Sequence, residues 1–162
     1  MQRREFMALT GSISLLGLLP GLAHAAGSAE VFAVTLTDAE WKAKLSSEAY
    51  DVLRKESTER PFTSPLNEEH RAGVFHCAGC DWPLFSSDAK FDSGTGWPSF
   101  FQPINDKAVG SSTDYKLLYP RTEVHCAHCG GHLGHVFDDG PKPTGKRYCM
   151  NGVAMTFKAE SK

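Results

Sequence analysis

Two C-x-x-C pairs, Cys77-Ala78-Gly79-Cys80 and Cys126-Ala127-His128-Cys129, restrict what this 162-residue chain can fold into more than any other feature. Each puts two thiols on one tight turn, and together they supply the four thiolates of a closed tetrahedral zinc site. Such a site keeps no open position for catalysis. Its expected work is structural, tying together two loops with 45 residues between them. The alternatives are two disulfides or a redox pair of thioredoxin type, but a redox C-x-x-C normally opens a helix beside a β-α-β unit, and no such alternation occurs here.

The fifth cysteine, Cys149, stands apart from both pairs. Sulfur attacks as the thiolate, and a nearby cation such as Arg147 favours that charged form, so Cys149 is the candidate nucleophile. Upstream of it, His132-Leu133-Gly134-His135 could hold a second metal if it formed a helical turn. With four thiolates already available, the two histidines are better suited to moving protons near neutral pH. Asp138 and Asp139 follow, then Asn151 beyond the cysteine. Trp97, in Gly94-Thr95-Gly96-Trp97-Pro98-Ser99-Phe100, reads either as a core aromatic or as a ring presented on a loop by its flanking glycines and Pro98.

These residues, in this order, closely resemble the B-type peptide-methionine sulfoxide reductases, over roughly residues 36–162. The motifs that carry the resemblance are Cys77/Cys80, Gly94–Phe100, Cys126/Cys129, Gly131–Phe137 and Arg147-Tyr148-Cys149. It implies two antiparallel sheets folded into an open, tent-like barrel with helices outside, and one structural zinc ion on Cys77, Cys80, Cys126 and Cys129. It implies reduction of the R epimer of protein-bound methionine sulfoxide, with Trp97 receiving the S-methyl group, Phe100 helping to line that pocket, and His132 and His135 holding water or the sulfoxide oxygen. Asp139, Arg147 and Asn151 fall on active-site positions; Asp138 is read as a surface charge. Attack by Cys149 would leave it as a sulfenic acid, the first rung of thiol oxidation.

Many relatives carry a second, resolving cysteine where this chain has Thr95, and Ile-Asn-Ser where it has Met150-Asn151-Gly152. With the other cysteines committed to zinc, an external thioredoxin-like protein or small thiol is expected to restore Cys149. The competing reading is a non-catalytic zinc-stabilised binding or chaperone-like protein on the same scaffold, which would not need Trp97, Arg147 and Cys149 together.

Met1 to Ala25 reads as a signal peptide: Arg3-Arg4, an apolar run from Phe6 to Leu22, and Ala23-His24-Ala25 as the cleavage site. Arg3-Arg4-Glu5-Phe6-Met7 resembles the twin-arginine export motif, which points to the periplasm. That route carries folded proteins, so zinc could be loaded in a reducing compartment first. The apolar run is too short for a stable membrane anchor. Without these residues 15 basic and 18 acidic side chains remain, a formal charge of −3, which argues against a nucleic-acid partner. Residues 26–35 read as a linker, 36–162 as one domain, and a monomer is expected.

Local patterns sketch the domain as mainly β behind short N-terminal helices. Thr37-x-x-Glu40 has the form of a capping box ahead of the Trp41/Leu45 pair. Ser46 or Ser47 can cap a second helix burying Ala49, Val52 and Leu53. Pro61 and Pro65 end helical structure, and residues 68–71 read as a solvated turn. Strands are predicted at 74–76, 82–85, 116–119, 123–125 and 153–157.

Overall fold

The computed structural model describes residues 30–161; the predicted signal peptide lies outside them. Two short helices come first. Helix α1, Asp38–Lys44, opens with a complete capping box, in which Thr37 Oγ1 accepts from the Glu40 amide at 3.3 Å and Glu40 accepts from the Thr37 amide at 2.7 Å. Helix α2, Ser47–Lys55, is capped by Ser46 and buries Tyr50, Val52 and Leu53. Among the described residues, no helix is long and apolar enough to cross a membrane.

Among the described residues, nine strands then build two antiparallel sheets. Strands β1 (Gly73–Cys77), β2 (Pro83–Ser86) and β9 (Met155–Ala159) form the smaller, in the order β2-β1-β9. The larger has the order β3-β4-β8-β7-β6-β5, from β3 (Lys90–Phe91), β4 (Ser99–Phe100), β5 (Val109–Asp114), β6 (Arg121–Cys126), β7 (His132–Phe137) and β8 (Arg147–Met150). An aromatic layer joins the two sheets. Phe75 of β1 and Phe85 of β2 lie 4.9 and 4.4 Å, between ring centroids, from Phe100 of β4, and Phe85 also meets Tyr148 of β8. Val124, Leu133 and Met150 extend this buried face, which leaves the opposite face of the large sheet for polar residues.

The fold is the expected one of two antiparallel sheets behind N-terminal helices, but β3, β4, β5, β7 and β8 are not among the strands the sequence predicts, and four further details differ. The run 116–119 is not a strand: β5 ends at Asp114, and residues 115–120 form the turn to β6. Its apolar side chains mimic strand composition, but the sheet register ends before them. Residues 152–154 form a 3-10 turn, so the last strand begins only at Met155. Pro65 opens a 3-10 turn, Pro65–Glu68, capped by Ser64, rather than only ending structure. The linker is shorter than expected, because Val34 donates to the His128 carbonyl at 3.0 Å and Phe32 packs edge-on against His125.

Candidate active site and metal centre

Strand β8 lies between β4 and β7, and this sets the site. Cys149 is opposite Ser99 on one side and His135 on the other. Directly opposed residues hold their Cβ atoms about 5 Å apart and on one face. The same row continues through Glu123 of β6 to Ser112 of β5. Cys149, His135 and Glu123 therefore share the polar face, away from the aromatic layer.

His132 joins them through a bulge. In a regular strand, residues three apart point to opposite faces. Here Val124 pairs with Gly134 and His125 with His132, so Leu133 is an extra residue on β7, and both histidines emerge on the polar face with ring centroids 5.4 Å apart. The helical turn contemplated for this motif is absent. Gly134 is required beside the bulge, since a Cβ there would lie 2.1 Å from the Cys149 carbonyl oxygen.

Each histidine is held by a carboxylate that sequence reasoning did not single out. Glu123 takes the Nδ1 hydrogen of His132 at 2.7 Å, and Asp114 takes the Nε2 hydrogen of His135 at 2.8 Å. His125, 3.9 Å away, and then His132, hydrogen-bonded at 2.7 Å, hold the Glu123 carboxyl far below the ordinary range. The Lys116 amide and then His135 do the same for Asp114. Both acids stay ionised at neutral pH. Burial lowers the pKa of His135 despite the pull of Asp114, so its resting form is neutral. No local signal marks these partners, because Asp114 lies 21 residues from His135 and reaches it only through the sheet register.

Arg147 lies two residues before Cys149 and so on the same face. Its guanidinium forks onto Asp139 at 2.9 and 2.8 Å and covers the Phe137 ring at 4.4 Å. Its pKa is raised chiefly by Asp139, with the charge of Cys149 adding to the effect. Asp139 thus bonds to Arg147 and is itself mostly exposed, while Asp138 pairs with Lys146 at the surface.

Trp97 is half-buried, and its indole N–H donates to the Glu59 carbonyl at 2.9 Å. Gly94 and Gly96, at φ 70° and 90°, allow the loop that carries it. A cavity of about 360 Å³ opens beside the ring, lined also by Phe62, Asn67 and Pro98, with Cys149 outside its lining. Glu59, unremarked in the sequence, links the site together: its amide donates to Asn151 Oδ1 at 2.8 Å and its carboxylate accepts from the Gly152 amide at 2.6 Å. Asn151 is buried and donates to the Leu133 carbonyl at 2.9 Å, so its amide braces the bulge.

Phe100 needs correction. It is fully buried between Phe75 and Phe85 and pairs with Tyr148, on the face opposite Cys149. Strand alternation puts its neighbour Ser99 on the polar face instead. Thr95 does reach the thiol, with Oγ1 3.8 Å from Cys149 Sγ.

The other four cysteines meet elsewhere. Their Sγ atoms all lie within 4.8 Å of one another, with Cys77–Cys129 at 3.7 Å and Cys80–Cys126 at 3.6 Å. Tetrahedral zinc with metal–sulfur bonds of about 2.3 Å needs sulfurs about 3.8 Å apart. A disulfide would bring them to about 2.05 Å. The cluster therefore fits one zinc ion with no position left open, and Trp82 stacked on His128 at 4.5 Å packs the two turns together.

The chain is similar to known proteins over most of its length. The model of the SelR domain matches residues 45–159. Over 125 residues the chain is 53% identical to the peptide methionine sulfoxide reductase MsrB of Agrobacterium fabrum, covering 77% of this chain and 93% of that protein. It is 57% identical over 119 residues to that of Pseudomonas putida, with 74% and 90% covered. The MsrB of Methanosarcina barkeri is 52% identical over 128 residues, with 79% and 90% covered.

Proposed function

Since the chain belongs to the SelR-domain family of peptide methionine sulfoxide reductases and reduces methionine sulfoxide with a thiol reductant, we propose that Cys149 is its nucleophile and the R epimer its substrate. The observation that carries this reading is the row Ser99–Cys149–His135–Glu123, which sets one thiol, clear of the metal cluster, beside a carboxylate-held imidazole. A purely binding protein would leave that row without purpose.

The Trp97 ring offers an apolar, aromatic seat for the S-methyl group, as thioethers favour. Cys149 thiolate attacks the sulfoxide sulfur while a proton reaches its oxygen. Because each histidine already donates one N–H to a carboxylate, its other nitrogen can give a proton only when the ring is imidazolium, which the ionised Glu123 and Asp114 stabilise. Oxygen passes to Cys149 as sulfenic acid, and methionine leaves. Two external thiols then return Cys149 to the thiol, releasing water and becoming a disulfide. Arg147, held by Asp139, keeps a positive charge beside the reacting sulfur. Bound zinc supplies no chemistry; Cys77, Cys80, Cys126 and Cys129 would hold it to tie β1 to β6 and so steady the sheet.

We propose further that the donor is thioredoxin-like or a small thiol, that the chain is exported to the periplasm with cleavage after Ala25, and that it is monomeric. The amino-terminal sequence features support export. The deciding experiment is turnover of methionine R-sulfoxide with dithiothreitol by wild type and by Cys149→Ser. Activity should vanish in the variant with zinc content intact; a variant that still turns over removes Cys149 from the mechanism.

A further inference from the structure

The apolar run at residues 115–119 hangs in water at the tip of the β5–β6 hairpin. Leu118 is wholly exposed, and Tyr115, Tyr119 and Leu117 are 76%, 60% and 48% exposed. Large apolar side chains gathered on a surface in this way mark a contact site. The one charge among them, Lys116, is paired with Glu56 beyond the end of α2, so the tip offers two leucines and two tyrosine rings.

Its stem belongs to the active site. Asp114 and Arg121 close the hairpin with an ion pair of 2.6 Å, and the same Asp114 oxygen holds His135 at 2.8 Å. Thr122, next to Arg121, pairs with Val136, which pairs with Tyr148 of β8. Two strand spacings, about 10 Å, therefore separate Arg121 from the strand of Cys149, and three, about 14 Å, separate Asp114 from it. An extended peptide advances about 3.3 Å per residue, so three to five residues span the distance from the thiol to the tip.

We propose that residues 115–119 dock apolar side chains of the substrate polypeptide three to five positions from its methionine sulfoxide. This rests on the reductase reading and narrows it. The preferred substrate is an oxidised methionine within an apolar segment, of the kind that a folded protein buries and a loosened one displays. A polypeptide is the occupant the geometry favours, because the tip adjoins the face where the substrate's own chain must lie.

The test compares kcat/KM of wild type and Leu117→Ser/Leu118→Ser on three substrates: free methionine R-sulfoxide, a peptide with leucines three to five residues from the sulfoxide, and the same peptide with serines there. Wild type should favour the leucine peptide about tenfold, and the variant should lose that preference while keeping its rate on free methionine R-sulfoxide and its melting temperature. Equal use of both peptides by wild type, or preference retained by the variant, overturns the docking proposal. So does an unchanged preference alongside loss of self-association, which assigns the tip to a second copy, or alongside loss of binding to phospholipid vesicles, which assigns it to a membrane surface. Failure of wild type on all three substrates would instead overturn the reductase reading.

Discussion

His135 donates its Nε2 hydrogen to Asp114 at 2.8 Å, reaching across β6, the strand that lies between them in the sheet. The bond opposes burial, which by itself lowers the pKa of the histidine. In Asp114→Asn the ionised acceptor is lost, so the pKa of His135 should fall further below 6.5, as read by NMR titration of the ring. The rate should drop about 10- to 100-fold as the protonated form becomes scarcer at neutral pH. The sign for stability follows from linkage. The folded state keeps His135 neutral while the unfolded chain protonates it near 6.5, so wild-type stability should decline as pH falls through that value. A histidine that titrates above 6.5 in the folded protein contradicts this.

Removing the metal should unfold more than the knuckles. Cys126 belongs to β6, which pairs with both β5 and β7, and Cys77 ends β1 of the other sheet. Cys126→Ser or chelation should abolish zinc binding and cost about 4–5 kcal/mol or more in denaturant unfolding. Metal and thiol counting on the mature protein should find one zinc and one reactive thiol. A chain that melts identically with and without zinc would falsify the structural role.

With Thr95 Oγ1 3.8 Å from Cys149 Sγ, substrate-treated wild type should accumulate a sulfenic acid that dimedone traps. Thr95→Cys should convert it into an intramolecular disulfide after a small side-chain shift. Intact mass and peptide mapping distinguish the two products. A disulfide between Cys149 and a zinc-site cysteine in wild type would defeat the external-donor proposal.

The Trp97 ring is held by its bond to the Glu59 carbonyl. Trp97→Phe keeps an aromatic face and loses that anchor, a change of about 1 kcal/mol that should raise KM several-fold with kcat nearly kept. Trp97→Ala should lose a further factor of up to about tenfold in kcat/KM, from the sulfur–aromatic contact. If Phe and Ala behave alike, the ring is not the seat of the S-methyl group.

Gly134→Ala should cost about 1–3 kcal/mol, because its Cβ would meet the Cys149 carbonyl at 2.1 Å and strands β7 and β8 must part. Activity should fall by more than stability, since the same separation pulls His135 from Cys149. Parallel melting and kinetic measurements give the ratio.

What could be read from the sequence was local or carried by residue type. The helix caps at Thr37 and Ser46 depend on three-residue spacing, and the zinc cluster on two short loops. The isolation of Cys149 is visible as arithmetic. The acids behind the histidines were not legible, because only the pairing of β5, β6 and β7 brings Asp114 and Glu123 to them. Nor was the exchange of Phe100 for Ser99, which depends on which face of a two-residue strand meets β8. Residues 116–119 misled for a different reason: apolar composition marks a strand only where a neighbouring strand continues, and here the ladder stops at Asp114.

Ser99, Cys149, His135 and Glu123 come from four separate strands, and Cys149 meets both of its neighbours only because β8 lies between β4 and β7. On the proposed mechanism, a half-assembled chain has the thiol without its neighbours, and activity arrives with the closing of the sheet. Turnover becomes a direct gauge of how much of a population has finished folding.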